Sequence, residues 1–138
     1  MGKRMRVGVF RGKTSRGLPI GAYVSVADNT GARVAQIIAV MGYKAPKRRL
    51  ASATVGDMVS VTIKKGTPEY RSKVFRAVVI RQRKPYRRIS GERIRFEDNA
   101  VVLVREDGDP IGSEIRGPVA REAAEKRPKL AQKASRVV

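Results

Sequence analysis

Residues 58–65 read Met-Val-Ser-Val-Thr-Ile-Lys-Lys, a strict alternation of apolar and polar side chains. Val59, Val61 and Ile63 occupy one side of this pattern, which is typical of a β-strand with one buried face. Four further stretches are alternating or continuously apolar and are bounded by turn residues: 23–27, 34–41, 74–80 and 100–104. Five short strands without interleaved helices predict a mainly β protein built on a small five-stranded β-barrel.

The stretch 81–97 follows the fourth predicted strand and contains the turn signal Ser90-Gly91. Ile94 and Phe96 alternate with charged residues, so one face would be cationic while the other covers the core. We therefore expect a β-hairpin ribbon that projects from the barrel.

After Pro118 the composition changes to residues that favour helices. This change predicts two short helices, over residues 119–127 and about 129–135, with Pro118 at the first helical position. Glu122 and Lys126 are four residues apart, a spacing that favours an ion pair on a helix.

The 138 residues have the length of a single domain. We expect a basic N-terminal arm over 1–19, a barrel over 20–105 with its ribbon at about 81–97, a loop over 106–117 and short helices over 118–138. Nothing in the sequence indicates an internal repeat.

The chain carries 31 lysine and arginine residues against 12 acidic residues, a formal net charge of +19. Self-repulsion of this size predicts a polyanionic partner. The cations are densest in residues 71–95, where they flank the apolar run Ala77-Val78-Val79-Ile80. Cations fixed beside a strand suit regularly spaced anions, and nucleic-acid phosphates are the commonest of these. Six acids between Glu92 and Asp109 are expected to orient arginines as counter-ions.

Catalysis has little support in this sequence. It contains no cysteine and no histidine, which removes disulfides, the usual metal ligands and the commonest general base. Gly12-Lys13-Thr14 resembles the end of a phosphate-binding loop, but the preceding Gly8 stands at the wrong spacing. Asp107-Gly108-Asp109 begins like a calcium loop, but Pro118 stands where the bidentate glutamate belongs. We expect no enzyme activity, no cofactor and no metal, and the lack of an apolar run of about 20 residues argues against a membrane partner.

One spacing pattern resembles a known family. From Ala77 to Leu103 the chain reads Ala-Val-Val-Ile, nine residues, Ser90-Gly91, four residues, Phe96, two residues, Asn99, two residues and Val102-Leu103. This is similar to the diagnostic pattern of the universal large-subunit ribosomal protein fourteen family. Residues 26–32, 55–57 and 117–119 with Glu122 agree with it. The N-terminal arm, residues 70–76 and the second C-terminal helix resemble the archaeal and eukaryotic branch, and the heavy use of Arg, Lys and Glu favours the archaeal members.

The resemblance implies a cytoplasmic, structural constituent of the large ribosomal subunit. It implies that the chain binds large-subunit rRNA at the subunit interface and contributes to an intersubunit bridge with small-subunit rRNA. The implied protein partners are large-subunit ribosomal protein three, other neighbouring ribosomal proteins and anti-association factor six. A non-ribosomal, chromatin-type protein that binds DNA remains the alternative, because it would share the charge.

The candidate site residues follow from the charge pattern and from this resemblance together. The predicted rRNA-binding cations are Lys47, Arg48, Arg49, Arg71, Lys73, Arg81, Arg83, Lys84, Arg87, Arg88, Arg93 and Arg95. By position, the resemblance implies that Ser113, Glu114 and Arg116 face the small subunit or the factor. Glu114 stands where bacterial members commonly carry a basic residue, which makes Arg116 the better candidate for a phosphate contact. Asn29 and Asn99 are predicted to stabilise turns, with hydrogen bonds to rRNA as the alternative.

Overall fold

The computed structural model describes residues 14–42, 48 and 50–138. Within these residues the elements, in chain order, are β1 Leu18–Pro19, β2 Tyr23–Val26, β3 Ala32–Val40, β4 Ser52–Ala53, β5 Met58–Gly66, β6 Val74–Arg81, β7 Tyr86–Arg87, β8 Arg93–Ile94, β9 Ala100–Val104, β10 Ile115–Val119, α1 Arg121–Lys126, α2 Pro128–Lys133 and β11 Ala134–Val137. Neither of these helices is long and apolar enough to cross a membrane.

Strands β2, β3, β5, β6 and β9 form a closed barrel in that order. Its pairs are antiparallel, except that β2 and β9 close the barrel in parallel through Ser25 opposite Ala100. The apolar side of β5 is fully buried at Val59, Val61 and Ile63. These strands coincide with the five stretches predicted from alternation and apolarity, so the predicted five-stranded barrel is confirmed.

Residues 77–80 of strand β6 are apolar on both faces, and both of these faces are buried. Ala77 and Val79 point into the barrel core. Val78 and Ile80 belong to a second cluster outside the barrel, built with residues of β9, β10, α1 and α2. A strand segment buried on both sides reads as a continuous apolar run rather than an alternation, as residues 77–80 do.

The predicted hairpin is present as β7 and β8, with Tyr86 opposite Ile94 and Arg87 opposite Arg93. Its turn lies at Ser90-Gly91, where Gly91 has a φ of 93° and its amide donates to the Arg88 carbonyl over 2.9 Å. A positive φ of this kind favours glycine. The hairpin is anchored at its base, because the Tyr86 side chain is buried in the barrel core.

The C-terminal region has both predicted helices, but they are shorter than expected. Pro118 lies in strand β10 and helix α1 begins at Arg121, so the placement of Pro118 at the helix start was wrong. The second helix ends at Lys133, and residues 134–137 form β11, which pairs in parallel with β10. This long-range pairing places the residues just before and just after the two helices in strands.

Candidate nucleic-acid interface

Strand β6 divides the cationic block of residues 71–95 into two parts. It runs from Val74 to Arg81 without interruption, which at about 3.3 Å per residue spans roughly 25 Å. Arg71 and Lys73 precede the strand and are exposed at one end of the barrel. Arg76 and Arg81 lie within the strand, and the remaining cations of the block follow it at the other end. A single run in the sequence therefore becomes two separate surfaces.

Five cations at the hairpin end form what we call the hairpin surface. They are Arg83, Lys84, Arg87, Arg93 and Arg95, and all are exposed. None of their side chains forms an ion pair or hydrogen bond with another residue in the described part of the chain. The backbone beneath them is held, since the Arg83 amide donates to Asn99 Oδ1 over 2.8 Å and the Phe96 amide donates to the Gln82 carbonyl over 3.0 Å. The hairpin surface therefore carries unpaired cations on a backbone that is held in place by hydrogen bonds.

Arg81 has a different environment, with only 9% of the residue exposed. Its Nε and Nη2 donate to the two carboxylate oxygens of Asp98 over 2.7 and 3.2 Å. Its Nη1 donates to the carbonyls of Arg116 and Pro118, each over 3.0 Å. Arg81 thus ties β10 to the barrel, and Asp98 acts as the counter-ion that was expected in this region.

Arg88 is also engaged inside the chain. Its Nε donates to Glu122 Oε1 over 2.7 Å, and its Nη2 donates to the Val138 carbonyl over 2.7 Å. Tyr86 donates its hydroxyl proton to Glu122 Oε2 over 2.7 Å. The predicted pair of Glu122 with Lys126 was wrong, because Glu122 is buried under the hairpin and Lys126 pairs with Asp57 instead.

The pKa values of Tyr86 and Arg88 are both shifted by burial and by the hydrogen bonds within this cluster. Burial first, and then the hydrogen bond to Glu122, raise the pKa of the Tyr86 hydroxyl well above its ordinary value. Burial acts to lower the pKa of Arg88, but the hydrogen bonds to Glu122 and Tyr86 outweigh it, and the pKa is raised.

Arg81 and Arg88 were both predicted among the rRNA-binding cations. Carboxylates inside the chain hold both guanidinium groups, so both residues make structural contacts, and their role in rRNA binding stays a prediction.

The described part of the N-terminal arm is anchored through Gln82, a fully buried polar residue at the end of β6. Gln82 Nε2 donates to the carbonyls of Ser15 and Lys84 over 2.8 and 3.0 Å. The Thr54 hydroxyl contacts Gln82 Oε1 over 3.1 Å, the Ser15 carbonyl over 3.0 Å and the Thr14 hydroxyl over 2.6 Å. Residues 14–15 are therefore held beside the hairpin surface.

The predicted factor-facing residues are close together in the chain: Ser113 and Glu114 lie in the loop before β10, and Arg116 lies in β10. Ser113, Glu114 and Arg116 are all exposed. Asn29 holds this loop, since its Nδ2 donates to Ser113 Oγ over 2.8 Å and its Oδ1 accepts from the Ser113 amide over 3.0 Å. The side chains of Asn29 and Asn99 thus hold segments that are 84 and 16 residues away in the chain, rather than the turns at which a role was predicted.

The three predicted rRNA-binding cations not yet described are Lys47, Arg48 and Arg49. Arg48 is exposed, with a φ of 69°, and Lys47 and Arg49 lie outside the described residues.

Among the acids expected to orient arginines, Asp109 pairs with a lysine, Lys129. The hydrogen bond from Lys129 lowers the pKa of the Asp109 carboxyl.

Sequence reasoning missed two cations, Arg33 and Lys65, that the fold brings together. The antiparallel register of β3 and β5 places Val34 opposite Lys65 and Ala32 opposite Gly66. No spacing in the sequence reveals this neighbourhood, because it depends on which strands pair. In the described ranges, no group of three or more acidic side chains could hold a metal ion.

The comparisons with known proteins agree with the resemblance in the sequence. The family described as ribosomal protein L14p/L23e matches residues 17–138. The chain is 57% identical over 127 residues to a protein of Thermoplasma acidophilum named large ribosomal subunit protein uL14, covering 92% of this chain and 96% of that protein. It is 58% identical to the protein of the same name from Thermoplasma volcanium, with the same coverage. Since the match spans the barrel, the hairpin and the C-terminal elements, the chain belongs to the ribosomal protein L14p/L23e family.

Proposed function

We propose that the chain is a structural constituent of the large ribosomal subunit and that its hairpin surface binds large-subunit rRNA. The family is structural and non-enzymatic, and its members act in the cytoplasm as part of the ribosome. The observation that carries the RNA contact is the set of five exposed cations without an internal counter-ion. Arg81 and Arg88 are paired with carboxylates inside the chain, whereas the five cations of the hairpin surface leave their charge for a ligand to neutralise.

The mechanism is electrostatic and positional. Arginine presents a planar fork of N–H donors that matches the oxygens of a phosphate. Arg87 and Arg93 are cross-strand neighbours on the two-stranded hairpin, so their backbone positions are set before binding. Phosphate contacts of this kind determine position rather than base preference. The barrel therefore holds an rRNA segment at a set distance from its own core.

The second element of the proposal is a bridge contact at Ser113 and Glu114, in the loop before β10, and at Arg116 in β10. The family resemblance supports small-subunit rRNA as its partner, with anti-association factor six as a competing protein partner. The exposed Arg116 suits a phosphate, whereas the exposed Glu114 suits a basic group on a protein. Large-subunit ribosomal protein three and other ribosomal proteins are the proposed neighbours within the subunit.

Membership of a ribosomal protein family favours rRNA over the chromatin-type alternative. Charge alone cannot separate the two, because phosphate contacts are shared by RNA and DNA. The family match covers the hairpin itself, and no feature of the described residues points to duplex DNA.

The proposal is tested by reversing two charges of the hairpin surface, Arg87→Glu together with Arg93→Glu. Both residues are exposed and unpaired, so the fold should be retained. We expect the double variant to be lost from large subunits that have been sedimented through a high-salt wash.

The matched control is Arg121→Glu with Arg136→Glu, which makes the same change in net charge at exposed residues outside the hairpin. The control should still co-sediment with large subunits. Normal incorporation of the hairpin variant would reject the hairpin surface as the rRNA contact. Recovery of the unmodified protein with DNA only would reject the ribosomal function.

A further inference from the structure

The carboxylate of Glu122 lies between the hairpin and the C-terminal segment, which comprises residues 115–138. Glu122 belongs to α1 and is only 2% exposed. Its Oε2 accepts from the Tyr86 hydroxyl and its Oε1 accepts from Arg88 Nε, each over 2.7 Å. Arg88 Nη2 donates in addition to the Val138 carbonyl over 2.7 Å. We call Tyr86, Arg88 and Glu122 the Glu122 cluster. It connects the hairpin to α1 and to the residue that follows β11.

The two segments that this cluster connects are both too small to be stable alone. The hairpin consists of two strands of two residues each. The C-terminal segment contains two helices of six residues each and a two-stranded parallel sheet of β10 and β11. Helices shorter than about 12–15 residues and isolated two-stranded sheets are at most marginally stable in water. Each segment therefore depends on the contacts that it makes with the rest of the chain.

Each segment also has its own attachment to the barrel. The Tyr86 side chain is buried in the barrel core. The Ala120 amide, just before α1, donates to the Ile80 carbonyl over 2.9 Å. In the described part of the chain, every hydrogen bond and ion pair between residues 83–95 and the C-terminal segment involves Tyr86 or Arg88. The Glu122 cluster is therefore the direct polar connection between the two segments.

The cluster reaches backbone hydrogen bonds that define both segments. In the hairpin, the Gly91 amide donates to the Arg88 carbonyl over 2.9 Å and closes the turn. In the C-terminal segment, the Val138 amide donates to the Val119 carbonyl, and the Val138 carbonyl accepts from the Arg121 amide, each over 2.9 Å. Since Arg88 also donates to that carbonyl, it takes part in the hairpin turn and contacts the end of the β10–β11 sheet.

We infer that the Glu122 cluster couples the two segments, so that whatever orders the hairpin also orders the pairing of β10 with β11. The inference rests on the proposed function for its ligand, because rRNA at the hairpin surface is what fixes the hairpin. A coupling free energy between two sites is reciprocal. Occupation of the hairpin surface therefore favours the ordered form of β10, which carries Arg116, and a partner bound at Arg116 favours the ordered hairpin.

The coupling makes contacts at the two surfaces cooperative. A bridge partner binds more tightly to a chain whose hairpin is already docked, because the cost of ordering β10 has then been met. Glu122 is a positioning residue in this scheme, since it is buried and acts through Arg88 and through the backbone of the C-terminal segment.

The coupling is tested with Gly91→Ala in the full chain labelled with ¹⁵N, by amide hydrogen exchange, which reports local opening. Gly91 has a φ of 93°, and an added Cβ would meet nothing within 4 Å, so the substitution strains only the hairpin turn. This strain should speed exchange at the Arg88 amide roughly five- to thirtyfold. We expect exchange at the Val138 and Arg121 amides to rise with it, by a smaller factor.

The matched control is Gly21→Ala, in the turn between β1 and β2. Gly21 has a φ of 94° and equally open surroundings, so this variant carries the same backbone strain outside the hairpin. It should leave exchange at the Val138 and Arg121 amides unchanged.

The role of Glu122 is separated from general stability by repeating Gly91→Ala in a Glu122→Gln background. An amide side chain has one acceptor oxygen where the carboxylate has two, so one of the two hairpin donors loses its partner. The hairpin amides should still respond to Gly91→Ala, whereas the response at Val138 should be lost. A merely structural Glu122 would alter the starting rates and leave that response intact. If Glu122→Gln does not fold, Arg88→Lys replaces it, because a single ammonium lacks the fork that contacts both Glu122 and Val138.

Two results would overturn the coupling. One is an unchanged exchange rate at Val138 and Arg121 in Gly91→Ala. The other is an increase at these amides that persists in the Glu122→Gln or Arg88→Lys background.

The coupling and the proposed function fail separately, because the exchange measurements contain no RNA. Uncoupled exchange in a protein that still enters large subunits would reject the coupling alone. Coupled exchange in a protein that never co-sediments with large subunits would reject the ribosomal function and keep the coupling.

Discussion

Neighbouring arginines of the hairpin have opposite roles. Arg87 is exposed and unpaired, whereas the Arg88 side chain is only 10% exposed and its guanidinium contacts Glu122. A guanidinium that loses water must be compensated by a carboxylate and by further acceptors, and Glu122 with the Val138 carbonyl supplies them. Reversal of Arg88 would place a second carboxylate against Glu122. A variant at that residue would therefore report on folding before it reported on RNA.

The Tyr86 hydroxyl should make a pH-dependent contribution to stability. Tyr86→Phe removes its hydrogen bond to the Glu122 carboxylate, and a bond to a charged group is worth roughly 1.5–3 kcal/mol. We expect a loss of about that size in the free energy of unfolding at pH 7, measured by denaturant titration.

The sign of the pH effect follows from the raised pKa of Tyr86. Above its ordinary pKa of 10.0, the unfolded state releases the proton while the folded state keeps it. The unmodified protein then loses about 1.4 kcal/mol of unfolding free energy for each pH unit. The phenylalanine variant has no hydroxyl there and does not show this loss. The stability gap between the two proteins should narrow above pH 10, and a gap that stays constant would contradict the burial of this hydroxyl. Tyr23→Phe, at an exposed residue, is the control and should change stability by less than about 0.5 kcal/mol.

At the level of elements, strand pairing decides most of what the sequence pattern leaves open. Period-two alternation and apolar runs predicted all five barrel strands, because those signals are local. Strands β10 and β11 were missed because their pairing joins residues 115–119 with residues 134–137 across both helices. Pro118 and Val119 were predicted to begin the first helix, but they lie in β10, because tertiary pairing outweighs the weak preference of single residues.

The buried amide of Gln82 should control the attachment of the N-terminal arm to the barrel. Gln82→Leu keeps the approximate shape but leaves the Ser15 and Lys84 carbonyls without their donor. We expect a loss of roughly 1–3 kcal/mol in unfolding free energy and faster trypsin cleavage after Arg16, followed by mass spectrometry.

Gln132→Leu makes the same chemical change at an exposed residue of α2 and is the control for this prediction. It should leave the cleavage rate unchanged. Equal cleavage rates in the Gln82 variant and the unmodified protein would show that residues 14–15 do not depend on this network.

For the whole molecule, the net charge of +19 predicts a steep salt dependence of RNA binding. With about 6–10 phosphates contacted, affinity should fall by roughly 10³–10⁵ between about 50 and 200 mM salt. A filter-binding titration of the full chain with large-subunit rRNA measures this slope. The Arg87→Glu, Arg93→Glu variant should show a shallower slope, and a flat response of the unmodified protein would reject the electrostatic mechanism.

The sequence by itself determined the β class, the five barrel strands, the hairpin turn and the polyanionic kind of partner. Each of these depends on local periodicity, turn residues or summed charge. Only the tertiary structure decided which cations are paired with a carboxylate inside the described part of the chain. Arg81 meets Asp98 and Arg88 meets Glu122 through contacts that strand order creates, whereas Arg33, Lys65 and Arg116 converge because β3, β5 and β10 meet at one hollow. Charge is additive along a sequence, but its neutralisation depends on distances of a few ångströms, which only the folded chain defines.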